Sequence, residues 1–134
     1  MTKKPLIIIS GKVTRNTGRG RTLGFPTANL DSKIGTETED GIYVGFCAIV
    51  PQRGRKAALV FIGVPETFGE TERQIEVHIL DFDEDLYGKN LTVKLIKKIR
   101  DNQRFDSEEA LIAQMRRDEG AARAFFDKQV SARV

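Results

Sequence analysis

The chain has 134 residues, of which 40% are hydrophobic and 31% are charged, and its net charge is +3. This length and composition predict one globular domain over residues 1–134 and exclude a disordered or fibrous chain. A single cysteine, Cys47, excludes an internal disulfide and a cysteine zinc site, and no apolar run is long enough to cross a bilayer, so we expect a cytoplasmic protein with no membrane partner.

The mild net charge conceals two oppositely charged segments. Residues 1–35 carry seven Lys and Arg side chains against one acid, whereas residues 66–85 carry eight acids against one Arg. Such segregation favours a site that holds phosphate on one side and a cation or a base on the other. A nucleic-acid surface spreads its basic residues over one face without an acidic block, so we expect no nucleic-acid partner.

In chain order, the first predicted element is a strand over Leu6–Thr14, which is rich in β-branched residues. A glycine-arginine loop follows, and residues 31–41 form a second predicted loop that we expect to be mobile. Further strands are predicted over Gly41–Val50, Lys56–Gly63, Gln74–Phe82 and Leu91–Ile99. Five or six strands joined by short turns predict a closed antiparallel barrel with Greek-key connections.

Helical patterns occur only at the end of the chain. Asp106 is the predicted N-cap of a first helix, because Glu109 follows three residues later as in a capping box. Gly120 is expected to end this helix, and Ala121–Gln129 is predicted as a second one. The fold prediction is therefore mainly β, with C-terminal α-helices.

The stretch from Gly18 to Arg21 is the candidate phosphate loop. Gly18 and Gly20 let backbone amides turn towards an anionic ligand, and Arg19 and Arg21 add planar donors that suit phosphate. The stretch is not a P-loop, because no Gly-Lys-Ser/Thr follows. Loops of this composition are also common as solvated turns, so the pattern alone leaves both interpretations open.

Thr27 and Asn29 form a candidate metal site directly after this loop. Pro26 favours an extended backbone, in which residues two apart point the same way. Neutral hydroxyl and amide oxygens beside a phosphate loop suit Mg²⁺, with phosphate oxygens and water as the remaining ligands. The same residues also fit an ordinary start of a strand.

Glu76 is the candidate catalytic carboxylate. It alternates with Ile75 and Val77, so it lies on the less apolar face of its strand together with His78. It is either a solvated group on the outer face or a base that takes a proton from a substrate hydroxyl. We interpret His78, the only histidine, as structural, because no nucleophile accompanies it.

Arg100 and Phe105 are candidates for a cationic and apolar shelf that holds a flat ligand at the start of the first helix. Phe105 also fits a residue that only packs against the helix start.

Taken together, these segments resemble one family, riboflavin kinase, also called flavokinase. The resemblance extends from about residue 10 to residue 118. It rests on Gly-Arg-Gly-Arg-Thr-Leu-Gly-Phe-Pro-Thr-Ala-Asn-Leu (18–30), Gly-Ile-Tyr (41–43), Ile-Glu-Val-His-Ile-Leu-Asp-Phe (75–82), Asp-Leu-Tyr-Gly (85–88) and Ile-Arg-Asp (99–101). One stretch departs from the family, since residues 62–68 replace its usual Asn-Pro-Thr-Phe-like segment.

The resemblance implies a six-stranded antiparallel Greek-key β-barrel that transfers the γ-phosphate of ATP to the 5′-hydroxyl of riboflavin, giving FMN and ADP. By position, Thr27 and Asn29 would ligate Mg²⁺ and Glu76 would be the general base. The implied ligand-binding residues are Gly18, Arg19, Gly20 and Arg21 over the phosphates, Tyr87 near the nucleotide, and Arg100 and Phe105 beside the flavin.

The expected product is FMN rather than FAD, because a single histidine excludes the two-histidine signature of the adenylyltransferase that accompanies this module in many bacteria. We also expect a monomer. The alternative to a kinase is a non-catalytic β-barrel that binds flavin or nucleic acid.

Overall fold

The computed structural model describes residues 7–14, 27–32, 38–52, 54–64, 72–82 and 84–131. In these ranges the chain forms six strands and one helix. The elements are β1 (Ile7–Thr14), β2 (Ala28–Asp31), β3 (Gly41–Val50), β4 (Lys56–Gly63), β5 (Gln74–Ile79), β6 (Asn90–Arg100) and α1 (Glu108–Ser131). The strands close into a barrel in the order β1-β2-β5-β4-β3-β6, and every neighbouring pair is antiparallel. This confirms the predicted six-stranded barrel.

The interior of the barrel is a packed hydrophobic core. Strand β5 shows how the sequence builds it, because Ile75, Val77 and Ile79 point inwards and are at most 3% exposed. Burying each such side chain contributes about 1.5–3 kcal/mol relative to leaving it exposed. Gln74 and Glu76, which alternate with them, are half-buried on the outer wall, so this strand presents its polar side chains there.

Helix α1 covers one part of that outer wall. Ala122, which is fully buried, packs there with Ile42, Val44 and Leu59 of β3 and β4. Phe126 lies 5.2 Å from the ring of Phe46, centroid to centroid. The helix thus buries a second, smaller core between itself and the barrel.

Two predictions about the helical region were wrong. A single continuous helix replaces the two predicted ones, and Gly120 lies exposed in its middle. Glycine costs about 1 kcal/mol at an interior helix position, but buried residues on both sides, Asp118 and Ala122, fix the helix to the barrel. The N-cap is Ser107 rather than Asp106, because the Ser107 hydroxyl accepts the N–H of Ala110 at 3.1 Å.

Strand boundaries differ from the predicted ones at β5 and β6. Strand β5 ends at Ile79 instead of Phe82, because Asp81 adopts a left-handed conformation with φ of 56° and turns the chain. Strand β6 runs from Asn90 to Arg100, one residue longer at each end than predicted.

Residues 38–40, at the end of the second predicted loop, make specific contacts with the barrel. Thr38 is buried, the Tyr43 hydroxyl donates to the Glu39 carbonyl at 2.6 Å, and Arg73 pairs with Asp40 at 2.6 Å. These contacts attach the end of the predicted loop to the barrel, and the mobility predicted for residues 31–41 stays a prediction. No helix within the described ranges is long and apolar enough to cross a membrane.

Candidate functional site

One row of side chains crosses the outer wall and contains three of the predicted site residues, Asn29, Glu76 and Arg100. The row follows from the pairing of the antiparallel strands, because each residue in it lies directly opposite the next one on the neighbouring strand. From β1 to β6 its members are Thr14, Asn29, Glu76, Phe61, Ile42 and Arg100. Adjacent strands lie about 4.8 Å apart, so Glu76 and Arg100 are separated by about 14 Å along the wall.

Four side chains around the middle of this row form what we call the polar cluster: Thr27, Asn29, Gln74 and Glu76. Asn29 lies on the outer face of β2, and Thr27, directly before this strand, is half-buried like Asn29, whereas Ala28 and Leu30 point into the core. Asn29 pairs with Glu76 in the β2–β5 register. The Thr27 hydroxyl donates to Glu76 Oε1 at 3.4 Å, and Asn29 Nδ2 donates to Gln74 Oε1 at 2.9 Å.

The side-chain oxygen of Asn29 has no hydrogen-bond partner among the described residues, although it is buried. Buried polar atoms are nearly always paired, so an orphaned acceptor requires an explanation such as an ion. The Thr27 hydroxyl and the Glu76 carboxylate lie beside it, and oxygen donors of this kind are the ligands that Mg²⁺ prefers. The polar cluster therefore fits a hard divalent cation.

Glu76 lies between two different environments. Asn29 is its partner on one side, and Phe61 is its partner on the other. The carboxylate is half-buried on the outer wall, next to the proposed metal ligands rather than remote from them. A carboxylate held at the border of a polar and an apolar surface is able to accept a proton from a hydroxyl that binds there.

Arg100, at the far end of the row, is held by the helix. Its Nε and Nη2 donate to the two carboxylate oxygens of Asp118, each at 2.7 Å, and Nη1 donates to the Asp101 carbonyl at 3.0 Å. Gln114 donates to the same carboxylate at 2.9 Å. Arg100 thus has a structural role that the sequence analysis missed, and its contact with a flavin stays a prediction.

Phe105 lies on the segment between β6 and α1. This segment is attached to the end of β4, because Asn102 Nδ2 donates to the Ile62 carbonyl at 2.9 Å. Phe105 is half-buried there. Its predicted place beside the flavin is not tested by these contacts.

Tyr87 lies on the opposite side of the polar cluster from Arg100. Its side chain is 53% exposed, and its backbone N–H donates to Asp85 Oδ1 at 2.9 Å. The turn that carries it is bonded to β1, since the Gly88 N–H donates to the Val13 carbonyl at 3.0 Å. Thr14 follows Val13 and pairs with Asn29, so this turn flanks the polar cluster.

Four predicted residues, Gly18, Arg19, Gly20 and Arg21, lie outside the described residues, and their phosphate contacts stay predictions. The structural interpretation of His78 agrees with its position, because its Nε2 lies 3.9 Å from Glu119 Oε2 of α1. Burial raises the pKa of the Cys47 thiol to about 11, which keeps this core residue protonated and unreactive near neutral pH.

Sequence reasoning missed three residues that shape this wall: Phe61, Asn102 and Asp118. Asp118 carried a usable signal, because it occupies an apolar-face position of the helix, three residues after Met115 and four before Ala122. An acid at such a position is buried only with a partner. Phe61 and Asn102 carried none, because their places depend on strand register.

Comparison with known proteins identifies the family. The family model for flavokinase, described as riboflavin kinase, matches residues 4–126. The bifunctional riboflavin kinase/FMN adenylyltransferase of Escherichia coli K12 is 42% identical over 120 residues, which cover 88% of this chain and 37% of that protein. The RNA-binding riboflavin kinase RibR of Bacillus subtilis is 39% identical over 114 residues, covering 84% of this chain and 48% of that protein.

Among solved structures, riboflavin kinase from Trypanosoma brucei superimposes with a TM-score of 0.64 at 21% identity, covering 92% of this chain and 78% of that one. This likeness supports the barrel fold. The chain spans less than half of the length of the two bacterial relatives it matches. The family match confirms the resemblance inferred from the sequence motifs.

Proposed function

The chain belongs to the riboflavin kinase family, and we propose that it transfers the γ-phosphate of ATP to the 5′-hydroxyl of riboflavin, giving FMN and ADP. The observation that carries this proposal is the convergence of Thr27, Asn29 and Glu76 on one face of two neighbouring strands. Phosphoryl transfer to an alcohol requires a positioned hydroxyl, an acceptor for its proton and stabilisation of the phosphate charge. The polar cluster offers groups suited to each requirement.

Glu76 accepts the proton of the riboflavin 5′-hydroxyl in this proposal. Its partner Phe61 is only partly buried and packs against the small core under α1, so the apolar surface next to Glu76 is the part of Phe61 that α1 leaves uncovered. A flavin ring packed on this side would hold the ribityl chain with its terminal hydroxyl at the carboxylate. The general base contributes less here than correct positioning of the hydroxyl, because the transition state of phosphoryl transfer is loose.

Thr27 and Asn29 are the residues that would hold Mg²⁺. When bound, the ion would neutralise charge on the nucleotide phosphates and on the transferring group. The orphaned oxygen of Asn29 supports this assignment, because a bound cation would give this buried acceptor a partner.

The nucleotide would bind on the β1 side of the polar cluster. Tyr87 is exposed on the turn that flanks this side, and the proposed phosphate loop Gly18–Arg21 lies in the chain between β1 and Thr27. Nucleotide and flavin would then approach Glu76 from opposite directions, as an in-line transfer requires.

The direct test incubates the protein with riboflavin, ATP and MgCl₂ and follows FMN and ADP by chromatography. Equal amounts of FMN and ADP, formed only when all three are present, would support the proposal. Binding of riboflavin and Mg-ADP without any FMN would instead support the non-catalytic flavin-binding barrel. Formation of FAD would contradict the predicted product, and the monomeric state and the cytoplasmic location stay predictions.

A further inference from the structure

The orientation of the Asn29 amide depends on a neighbour that is not itself a metal ligand. Asn29 pairs directly with Glu76, and Gln74 is its diagonal neighbour two residues earlier on β5. Gln74 Oε1 accepts the N–H of Asn29 at 2.9 Å. This contact decides which end of the amide faces Gln74 and which end faces away.

An asparagine amide has a donor end and an acceptor end, and only the oxygen is able to bind a cation. Because Gln74 accepts from the nitrogen, Oδ1 is the end of the amide that is left for a ligand; it is buried and has no hydrogen-bond partner within the described ranges. A rotation of the amide by 180° would present the N–H₂ group instead. That group would repel a cation.

We infer that Gln74 is a positioning residue for the metal site: by accepting the Asn29 N–H, it fixes the amide with its oxygen available to the cation. This inference rests on the proposed function, because it assigns Asn29 to Mg²⁺. It adds to the site a residue that the sequence analysis named only as the first residue of a predicted strand.

Two substitutions at position 74 test whether the site needs a hydrogen-bond acceptor there or only a side chain of similar size. Gln74→Leu removes the acceptor, so the Asn29 amide is no longer held in one orientation. Gln74→Glu keeps an acceptor and has no donor, so it enforces the same orientation. Because Gln74→Glu also adds a negative charge that attracts a cation, the loss of binding in Gln74→Leu relative to the original protein carries the inference, and Gln74→Glu tests only whether an acceptor at this position is sufficient.

The experiment measures binding of MnCl₂ in the presence of ADP by electron paramagnetic resonance, on the full chain and without riboflavin. We expect Gln74→Leu to raise the dissociation constant of Mn²⁺ about 10-fold, the usual effect of losing a partner that orients a metal ligand. Gln74→Glu should bind at least as tightly as the original protein. Gln52→Leu, at an exposed turn residue, is the matched control and should leave binding unchanged.

Kinase activity provides a second measurement, which separates an effect on the metal from an effect on riboflavin binding. The Mg²⁺ concentration for half-maximal rate should rise with Gln74→Leu, whereas KM for riboflavin should stay the same. If Gln74→Leu folds and binds Mn²⁺ like the original protein, the inference is overturned. Equal losses of Mn²⁺ affinity in Gln74→Leu and Gln74→Glu would overturn it as well. If Gln74→Leu does not fold, tight binding by Gln74→Glu together with weak binding by Gln74→Met still supports it.

These outcomes separate the inference from the proposed function. FMN formation by the original protein together with unchanged metal dependence in Gln74→Leu would overturn the inference alone. Weaker Mn²⁺ binding by Gln74→Leu than by the original protein, with no FMN formed by the original protein, would overturn the kinase proposal but leave supported the part of it on which the inference rests, the assignment of Asn29 to the metal.

Discussion

Two parts of the outer wall of the barrel differ in whether their buried polar atoms have hydrogen-bond partners. Under α1, the buried carboxylate of Asp118 is fully used by Arg100 and Gln114. On the part formed by β2 and the start of β5, Asn29 keeps a buried oxygen without a hydrogen-bond partner among the described residues. Both parts contain charged or amide side chains, and both lie on strands of the same sheet.

We interpret this difference as one between polar residues that stabilise the fold and a residue that, under the proposed function, binds a ligand. A buried charge that is completely paired contributes to the position of the helix, and its removal should unfold the protein before it changes chemistry. A buried acceptor that is left unpaired costs stability, which a fold tolerates where a ligand satisfies the group. The predictions below test this separation, from the largest expected effect to the smallest.

The largest effect is expected under the helix. Asp118→Ala leaves the Arg100 guanidinium without its bidentate partner in a place that is 20% exposed, so we expect the free energy of unfolding to fall by about 3 kcal/mol. Urea unfolding followed by circular dichroism measures this. Asp127→Ala, at an exposed position of the same helix, is the control, and an equal loss in both variants would contradict the assigned role of the ion pair.

On the open part of the wall, Glu76→Gln should reduce kcat about 100-fold while the protein remains folded, because the amide is unable to accept the proton of the substrate hydroxyl. Steady-state formation of FMN measures this loss. Glu84→Gln, at an exposed turn, should keep full activity. An unchanged kcat in Glu76→Gln would remove Glu76 from the proposed mechanism.

The barrel core lies beneath both parts of the wall, and through its Cys47 the free energy of unfolding should depend on pH in the alkaline range. Burial raises the pKa of Cys47 to about 11 from a usual value of 9.0, so between these values the unfolded chain loses a proton that the folded chain keeps. The free energy of unfolding should therefore fall by about 2 kcal/mol from pH 9 to pH 11 through this group. Below about pH 9 both states hold the proton, so this stability is fully present there and the group causes no pH dependence.

Denaturation curves at pH 8 and pH 11 measure this slope, with Cys47→Ala as the comparison. Burial also raises the pKa of Tyr43, which titrates in both proteins, so only the difference between the two slopes reports the thiol. Parallel slopes would show that the thiol does not titrate differently in the two states.

Asn29→Ala should raise the Mg²⁺ concentration for half-maximal activity about 10-fold, since the proposed metal loses a ligand. Its stability should change by only about 1 kcal/mol, because the lost hydrogen bond to Gln74 is offset by removal of the unpaired oxygen. Titration of activity with MgCl₂ and thermal unfolding measure the two effects. Asn90→Ala, at an exposed position of β6, is the control, and identical Mg²⁺ dependence in Asn29→Ala would refute the metal assignment.

The smallest effect is expected within the helix. Gly120 is exposed, and no atom lies within 4 Å of where a side-chain carbon would be placed. Gly120→Ala should therefore stabilise the protein by about 0.8 kcal/mol, and Ala113→Gly, at another exposed position, should destabilise it by a similar amount. Chemical denaturation of the pair measures both. A destabilising Gly120→Ala would show that the continuous helix is strained at this residue.

Strand positions were well predicted because alternation is a local signal. Gly41–Val50 and Lys56–Gly63 were predicted with the bounds that the structure has, since each faces a packed interior along its length. The wrong prediction that the helix ends at Gly120 arose because a local signal was outweighed by tertiary packing. Local propensity indicated a helix end, but packing on both sides of the glycine outweighed the local cost.

The candidate site was predictable where its residues share one strand, and only partly so where they do not. The spacing of Thr27 and Asn29 indicated a common direction, and alternation placed Glu76 opposite the core side chains. The proximity of these two groups followed only from the resemblance, because residues 29 and 76 are far apart in the sequence. The pairing of Arg100 with Asp118 was invisible for the same reason.

By itself, the sequence determined the strands, their inward faces, the family and the kind of oxygen donors at the site, because these depend on residue type and on spacing along the chain. The tertiary structure decided that β2 pairs with β5, that α1 continues through Gly120 and that Gln74 holds the amide of Asn29. Such features depend on closure of the barrel, which brings residues together across long stretches of chain and sets their register through hydrogen bonds between strands.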